Sequence, residues 1–171
     1  MAGITDNGRE HQHTITALVQ NHPGVLARVA GLFARRGFNI ESLAVSVTEN
    51  PEISRMTIVA RGDDRVLEQI TKQLNKLIEV IRVVDYVEHT AVERELALIK
   101  VNAEPKDRSE ILQLAEVFRG RVIDVSEKTF LIELTGGPEK IDAFARLMAP
   151  YGIREMARTG VIAMARGTKT A

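Results

Sequence analysis

The sequence predicts an α+β fold made of two consecutive β-α-β-β-α-β units. Three observations support this prediction. Apolar residues change repeatedly from a spacing of two, which is typical of strands, to the three-and-four spacing of helices. The order of these segments in the first half of the chain returns in the second half. Glycine, proline, asparagine and aspartate mark the changes. Each unit then has the split β-α-β, or ferredoxin-like, topology, with two helices on one face of a four-stranded antiparallel sheet.

The first unit is predicted to occupy residues 13–89, after a disordered tail at residues 1–12. Residues 14–19 alternate as in a half-buried strand. Pro23 is placed at the entrance of a helix that Gly37 ends. Strands follow at residues 40–48, 53–60 and 80–87. A second helix begins after a turn and cap at Gly62-Asp63-Asp64 and carries Glu68 and Lys72 as an i,i+4 pair.

The second unit is predicted at residues 95–171, after a charged linker at residues 90–94. Its strands are expected at residues 95–101, 121–127, 130–135 and 161–164. Asp107 resembles the start of a capping box before the first helix, which Arg119 and Gly120 end. The second helix runs from Gly137-Pro138 to Pro150.

The composition excludes several classes of partner. Lysine and arginine total 23, as do aspartate and glutamate, so the chain has no basic surface for nucleic acid or an acidic membrane. Aromatic residues make up only 4% of the chain, which argues against base stacking on a sheet. The chain lacks cysteine, which suits a reducing compartment, and it has no apolar run long enough to span a membrane. We therefore expect a cytoplasmic protein without nucleic-acid or membrane partners.

No recognisable catalytic motif is present, and the acidic residues fall mostly in turns and on outer helix faces, where solvated charges are expected. His11 and His13 share one side of an extended segment, but neither a carboxylate nor a cysteine stands at ligand spacing. We therefore predict neither an active site nor a metal site in this chain.

The strongest candidate site is the turn Asn21-His22-Pro23-Gly24-Val25-Leu26 before the first helix. The amides of Gly24, Val25 and Leu26 at the helix start suit a carboxylate. The side-chain oxygens of Asn21 and Asn39 suit an ammonium group. Leu26 and Ile40 would contact an aliphatic side chain, so the pattern indicates an amino-acid pocket with both asparagines beside one helix start.

A purely structural interpretation stays open at this point. Asn21 and Pro23-Gly24 are also common turn formers, and Asn39 tolerates unusual dihedral angles after a glycine. The segment from Glu41 to Thr48 falls at a sheet edge and has no proline or lysine to block pairing. Since units this small bury little surface, we expect a homodimer joined edge to edge through the first unit.

Two long motifs resemble a known family. Residues 21–29 and 32–43 are similar to the start of the regulatory (small) subunits of acetolactate synthase. The similarity continues through residues 54–58, 72–77, 92–95, 118–125 and 157–160, so it covers nearly all of residues 15–166. The motif at residues 32–43 is specific, whereas the Pro-Gly turn alone would indicate only an ACT-type sensor domain.

The resemblance implies a non-catalytic subunit that activates a catalytic (large) subunit and confers feedback inhibition by a branched-chain amino acid, usually valine. The first unit would be an ACT domain, in which positions matching Asn21, Gly24 and Asn39 serve inhibition. Val25, Leu26 and Ile40 join them from the pocket argument. Thiamine diphosphate, magnesium and FAD are expected in the catalytic partner and not in this chain. The alternatives are a stand-alone ACT-repeat regulator that senses another amino acid and, more distantly, a metal-responsive regulator of the same fold.

Overall fold

The structure is a computed structural model that describes residues 11–86 and 90–168 of the 171-residue chain. The described residues divide into two compact units. One comprises residues 11–86, 90–92 and 163–168, and the other comprises Glu93–Ile162. The first unit is therefore discontinuous in sequence, because the end of the chain belongs with its beginning.

The first unit has the predicted element order. It contains β1 (His11–Gln20), α1 (Val25–Arg35), β2 (Ile40–Val47), β3 (Ile53–Gly62), α2 (Asp64–Leu74) and β4 (Val80–Tyr86). The strands lie in the order β2-β3-β1-β4, and every neighbouring pair is antiparallel. This is the split β-α-β topology, so the predicted fold class is confirmed.

The core of the first unit lies between the sheet and its two helices. Ile15 on β1, Phe33 on α1 and Ile58 on β3 belong to this core and are at most 1% exposed. The alternation in β1 predicts a half-buried strand, and this was wrong. Thr14 and Thr16, on the other face of β1, are also buried, so both faces of this strand are covered.

The second unit repeats the arrangement. It contains β5 (Ala91–Asn102), α3 (Arg108–Val117), β6 (Arg121–Val125), β7 (Thr129–Gly136), α4 (Pro138–Met148), a 3₁₀ turn (Ala149–Tyr151) and β8 (Ile153–Arg158). The strand order is β6-β7-β5-β8, again antiparallel. A separate core lies beneath α3 and α4, with Ile99, Ile132 and Phe144 fully buried.

The fourth strand of the second sheet is β8 and not the predicted strand at residues 161–164. β8 is an edge strand in which only Ile153 and Met156 are partly buried, so its apolar pattern is weak. A last strand, β9 (Ile162–Ala165), does exist, but it pairs with β5. Within the first unit, Arg55 Nη2 donates a hydrogen bond of 2.8 Å to the Ala163 carbonyl oxygen.

The helix ends differ between the units. Asp63 caps α2 as predicted, since its carboxylate accepts from the Val66 amide at 2.8 Å. Asp107 precedes α3 but makes no side-chain cap hydrogen bond, so the predicted capping box is wrong. Gly37 has the left-handed φ of 71° after α1, whereas after α3 Arg119 takes that conformation, with φ of 55°. Gly120 is instead required by space, because a Cβ there would lie 3.2 Å from the Glu133 carbonyl oxygen.

The predicted tail and linker are only partly within the described residues. The predicted tail lies outside them, except for His11 and Gln12, which begin β1. His89 also lies outside them. Residues 91–94 of the predicted linker belong to β5, and the boundary between the compact units falls among them.

Candidate functional site

The first helix begins in a left-handed turn. Gly24 is its N-cap residue with φ of 90°, a conformation that glycine adopts without strain. Helix α1 therefore starts at Val25, two residues after Pro23. The Arg28 amide donates to the Gly24 carbonyl oxygen at 3.0 Å. In the described part of the chain the Leu26 and Ala27 amides find no acceptor, so two donors at the positive end of the helix can bind an anion.

Asn21 connects the end of β1 to the turn between β2 and β3. Its backbone amide donates to the Glu52 carbonyl oxygen at 2.8 Å, and its side-chain Nδ2 donates to the Pro51 carbonyl oxygen at 2.8 Å. The turn-forming role is therefore present. Because the side chain is exposed and only its nitrogen is used, Oδ1 can still accept a hydrogen bond from a ligand.

Asn39 lies at the other end of the same sheet. Gln20, the last residue of β1, is opposite Ile53, whereas Ile40, the first residue of β2, is opposite Ala60. Seven residues of β3 separate these levels, or about 23 Å at the usual rise of a strand. The expectation that both asparagines flank one helix start within a single chain was therefore wrong.

The other candidate residues have different environments. Val25 is 3% exposed and belongs to the core of the first unit, and Ile40 is partly buried against that core. Leu26 is 45% exposed, beside the free amides. Among the candidate residues at the helix start, Asn21, Gly24 and Leu26 are accessible and Val25 is not.

Glu79 is a residue at this site that the sequence did not indicate. Its side chain is only 10% exposed and forms an ion pair with Arg28 of α1, and its other oxygen, Oε2, is buried without a partner among the described residues. Its carbonyl oxygen accepts from the Gln20 amide at 2.8 Å. Glu79 follows α2 in a turn, where we expected a solvated carboxylate, and nothing in the local pattern predicts its burial.

In the second unit the position equivalent to the candidate site is filled by an arginine side chain of the unit itself. The Ala103 amide donates to the Lys128 carbonyl oxygen as Asn21 does to Glu52, so Ala103 and Asn21 are equivalent. Arg108 of α3 donates to the carbonyl oxygens of Ala103, Ser126 and Glu127, and it lies over the Phe130 ring. A cation of the chain itself thus occupies the groove between the helix start and the hairpin turn.

The described residues contain no group of three or more histidine, aspartate or glutamate side chains that could hold a metal ion. None of their helices is both long enough and apolar enough to cross a membrane.

Comparison with known proteins gives consistent results along the chain. Residues 94–167 match the family described as the small subunit of acetolactate synthase, and residues 15–82 match the small subunit-like ACT domain of acetohydroxyacid synthase (AHAS). A probable acetolactate synthase small subunit from Archaeoglobus fulgidus is 60% identical over 158 residues, covering 92% of this chain and 99% of the relative. The small subunit from Mycolicibacterium smegmatis is 55% identical, with 92% of each chain covered.

A solved structure agrees with the sequence comparisons. The crystal structure of the acetolactate synthase small subunit from Thermotoga maritima superposes with a TM-score of 0.85 at 47% identity. The alignment covers 93% of this chain and 99% of that one. The likeness therefore extends over both units.

Proposed function

Since this chain belongs to the family of acetolactate synthase small subunits, we propose that it is the regulatory subunit that activates the catalytic subunit and confers feedback inhibition by valine or a related branched-chain amino acid. The chain carries no active site in this proposal. Thiamine diphosphate, magnesium and FAD belong to the catalytic partner, and the complex acts in the cytoplasm in branched-chain amino acid biosynthesis.

The strand register supports an effector site shared by two copies. β2 is the outer strand of the first sheet, and Val47 at its end is opposite Ser54, close to the level at which β1 reaches Asn21. If β2 pairs antiparallel with β2 of a second copy, the start of one strand lies beside the end of the other. Asn39 and Ile40 of one copy then reach Asn21 and Gly24 of the other, which no single chain can achieve.

The edge of β2 suits such pairing. The strand is eight residues long and contains no proline or lysine, the residues that commonly protect a sheet edge. Ser42, Ala44 and Ser46 have small side chains on one face, which permits close approach of a second chain. A homodimer through β2 would join the two first units.

Inhibition then follows from a difference in affinity between two states. The carboxylate of the effector binds the amides of Leu26 and Ala27, and its ammonium binds side-chain oxygens of Asn21 and of the second copy's Asn39. An effector held by both copies favours one dimer geometry. A coupling of about 1–3 kcal/mol between effector binding and the state of the catalytic subunit is sufficient for regulation.

Calorimetry tests the sensor function. The full-length protein is titrated with valine, leucine and isoleucine while its dimerisation is followed by sedimentation. We expect saturable binding of at least one of the three. A folded dimer that binds none of them would overturn the proposal.

The substitution Asn39→Ala tests the shared site. We expect a reconstituted enzyme that is still activated by this chain but resists valine, because the variant loses an acceptor of the ammonium group and keeps the helix start intact. Gln12→Ala on β1, an exposed residue at the same end of the sheet, is a control that should leave inhibition unchanged. Normal valine inhibition in Asn39→Ala would show that the pocket lies elsewhere.

A further inference from the structure

Two valines of the edge strand face the helix-covered side of the sheet but remain exposed. Val45 is opposite Met56, which belongs to the core beneath the helices, and Val47 is opposite Ser54. Directly opposed residues of an antiparallel pair share one face. Met56 is 2% exposed, whereas Val45 is 41% exposed and Val47 is 51% exposed. The helices therefore leave the outer part of this face uncovered.

This uncovered part lies at the end of the sheet where α1 begins. Val47 ends β2 at Ser54, and β1 ends one residue away at Ile53. Leu26, in the first turn of α1, is also exposed on the helix side. Three exposed apolar side chains thus lie at the end of the first unit that carries the free amides of Leu26 and Ala27.

We propose that Val45 and Val47, with Leu26, form the apolar wall that contacts the aliphatic side chain of the effector and determines which branched-chain amino acid binds. This inference rests on the proposed function and extends it to two residues with no role assigned above. Val47 and the start of α1 lie at the same end of the sheet, so an effector whose carboxylate binds the helix amides would extend its side chain toward these valines.

The size of the wall suits a small molecule better than a protein. Three aliphatic side chains offer far less area than the roughly 800 Å² per partner of a stable protein interface. A single branched side chain of three or four carbons matches that area, and it would be held by contact and shape with no hydrogen bond. One methylene group more or less then changes affinity by about 10-fold or more.

Val47→Ala tests the wall, because the shorter side chain leaves more space for the effector. Calorimetry of the full-length protein with valine, leucine and isoleucine gives three affinities and their ratios. We expect valine to bind about 10-fold more weakly and the ratio of leucine to valine affinity to rise about 5-fold or more, because the space that is opened accepts the longer side chain. Val47→Thr keeps the volume and replaces one methyl group by a hydroxyl group, so it should weaken the binding of all three effectors without changing the ratio of their affinities.

The second unit offers a matched control. Val125 ends β6 as Val47 ends β2, and the next amide in each strand bonds across the hairpin at 2.9 Å, from Thr48 to Ile53 and from Ser126 to Thr129. Val125 is 60% exposed, but Arg108 fills the groove beside its helix. Val125→Ala should therefore leave all three affinities unchanged.

The outcomes separate this inference from the proposed function. If the unaltered protein binds none of the amino acids, the proposed function fails first. If it binds valine and Val47→Ala keeps the leucine-to-valine ratio, the wall has no role in selectivity and the inference is overturned. A change in dimer affinity with constant ratios would assign the valines to the interface between copies, which also overturns it. Since Val47 is exposed, the variant should fold; Val45→Ala gives a second, independent measurement of the ratio.

Discussion

The two units have the same fold but differ in the groove between the start of the first helix and the neighbouring hairpin turn: the groove is open in the first unit and filled in the second. In the first unit, Gly24 precedes the helix in a left-handed conformation, and the Leu26 and Ala27 amides have no acceptor among the described residues. In the second unit, Arg108 reaches across the equivalent groove to three carbonyl oxygens. A repeated fold therefore does not repeat the site, because one long cation is enough to occupy it.

The units also differ in the burial of an ion pair at equivalent positions of their sheets. Ile15 is opposite Asp85 in the first sheet, and Ala97 is opposite Arg158 in the second. In the first unit Asp85 lies 3.5 Å from His13, and both side chains are partly exposed. In the second unit Arg158 pairs with Glu95, whose side chain is 2% exposed, and with Asp142 of α4 at 2.7 Å. Hydrogen bonding to Glu95 raises the pKa of the Arg158 guanidinium above its usual value.

Removal of the buried pair should have the largest effect on stability. Glu95→Ala removes both hydrogen bonds between Arg158 and Glu95 and leaves Arg158 with Asp142 as its partner, so we expect the free energy of unfolding of the second unit to fall by about 3 kcal/mol. Urea denaturation measures the loss, and hydrogen exchange of the β5 amides assigns it to this unit.

The matched change in the first unit is His13→Ala. Because the pair with Asp85 is partly exposed, we expect a loss below about 1 kcal/mol. Equal losses for His13→Ala and Glu95→Ala would contradict the distinction drawn between the two sheets.

Removal of the cation in the second groove should have an intermediate effect. Arg108→Met loses charge-assisted hydrogen bonds to three carbonyl oxygens, and we expect the second unit to lose about 2 kcal/mol with no change in effector affinity. Lys106→Met, an exposed neighbour, is the control for charge. Valine binding that depended on Arg108 would show that the grooves are not independent.

Exchange at the helix ends should have the smallest effect. Arg119→Gly removes the cost of a left-handed conformation, about 1–2 kcal/mol. It also raises the conformational entropy of the unfolded chain, which lowers stability by about 0.4–1 kcal/mol. We therefore expect a net gain of about 0.5 kcal/mol in urea denaturation. Gly37→Ala in the first unit should lower stability by about 1 kcal/mol. If Arg119→Gly also lowers stability, the Arg119 side chain contributes contacts that outweigh its backbone strain.

Sequence periodicity was sufficient for the architecture except at one sheet edge. Inner strands such as β3 and β7 contain several closely spaced apolar residues, so their positions were predicted closely, and the edge strands β2, β4 and β6 were also predicted. The edge strand β8 was missed because it buries little, and the Glu95–Arg158 pair that holds it joins residues distant in sequence.

The candidate site was predictable only in part. The turn at Asn21 to Leu26 has a local signature, and the structure places Gly24 and Leu26 accessibly at the helix start. The distance between Asn21 and Asn39 depends on strand register, which no local pattern reveals. The burial of Glu79 likewise depends on packing between α1 and the turn after α2, so it emerges only from the folded chain.

The hydrogen bond from Arg55 to the Ala163 carbonyl has a practical consequence for dissecting this protein. Residues 163–168 belong to the first unit, although they are the last described residues of the chain. A fragment that stops at Val92 would contain the first unit without its final segment, and Arg55 would keep only its hydrogen bond to the Tyr86 hydroxyl oxygen. An isolated first unit therefore needs residues 163–168 joined to it if it is to match that unit in the intact chain.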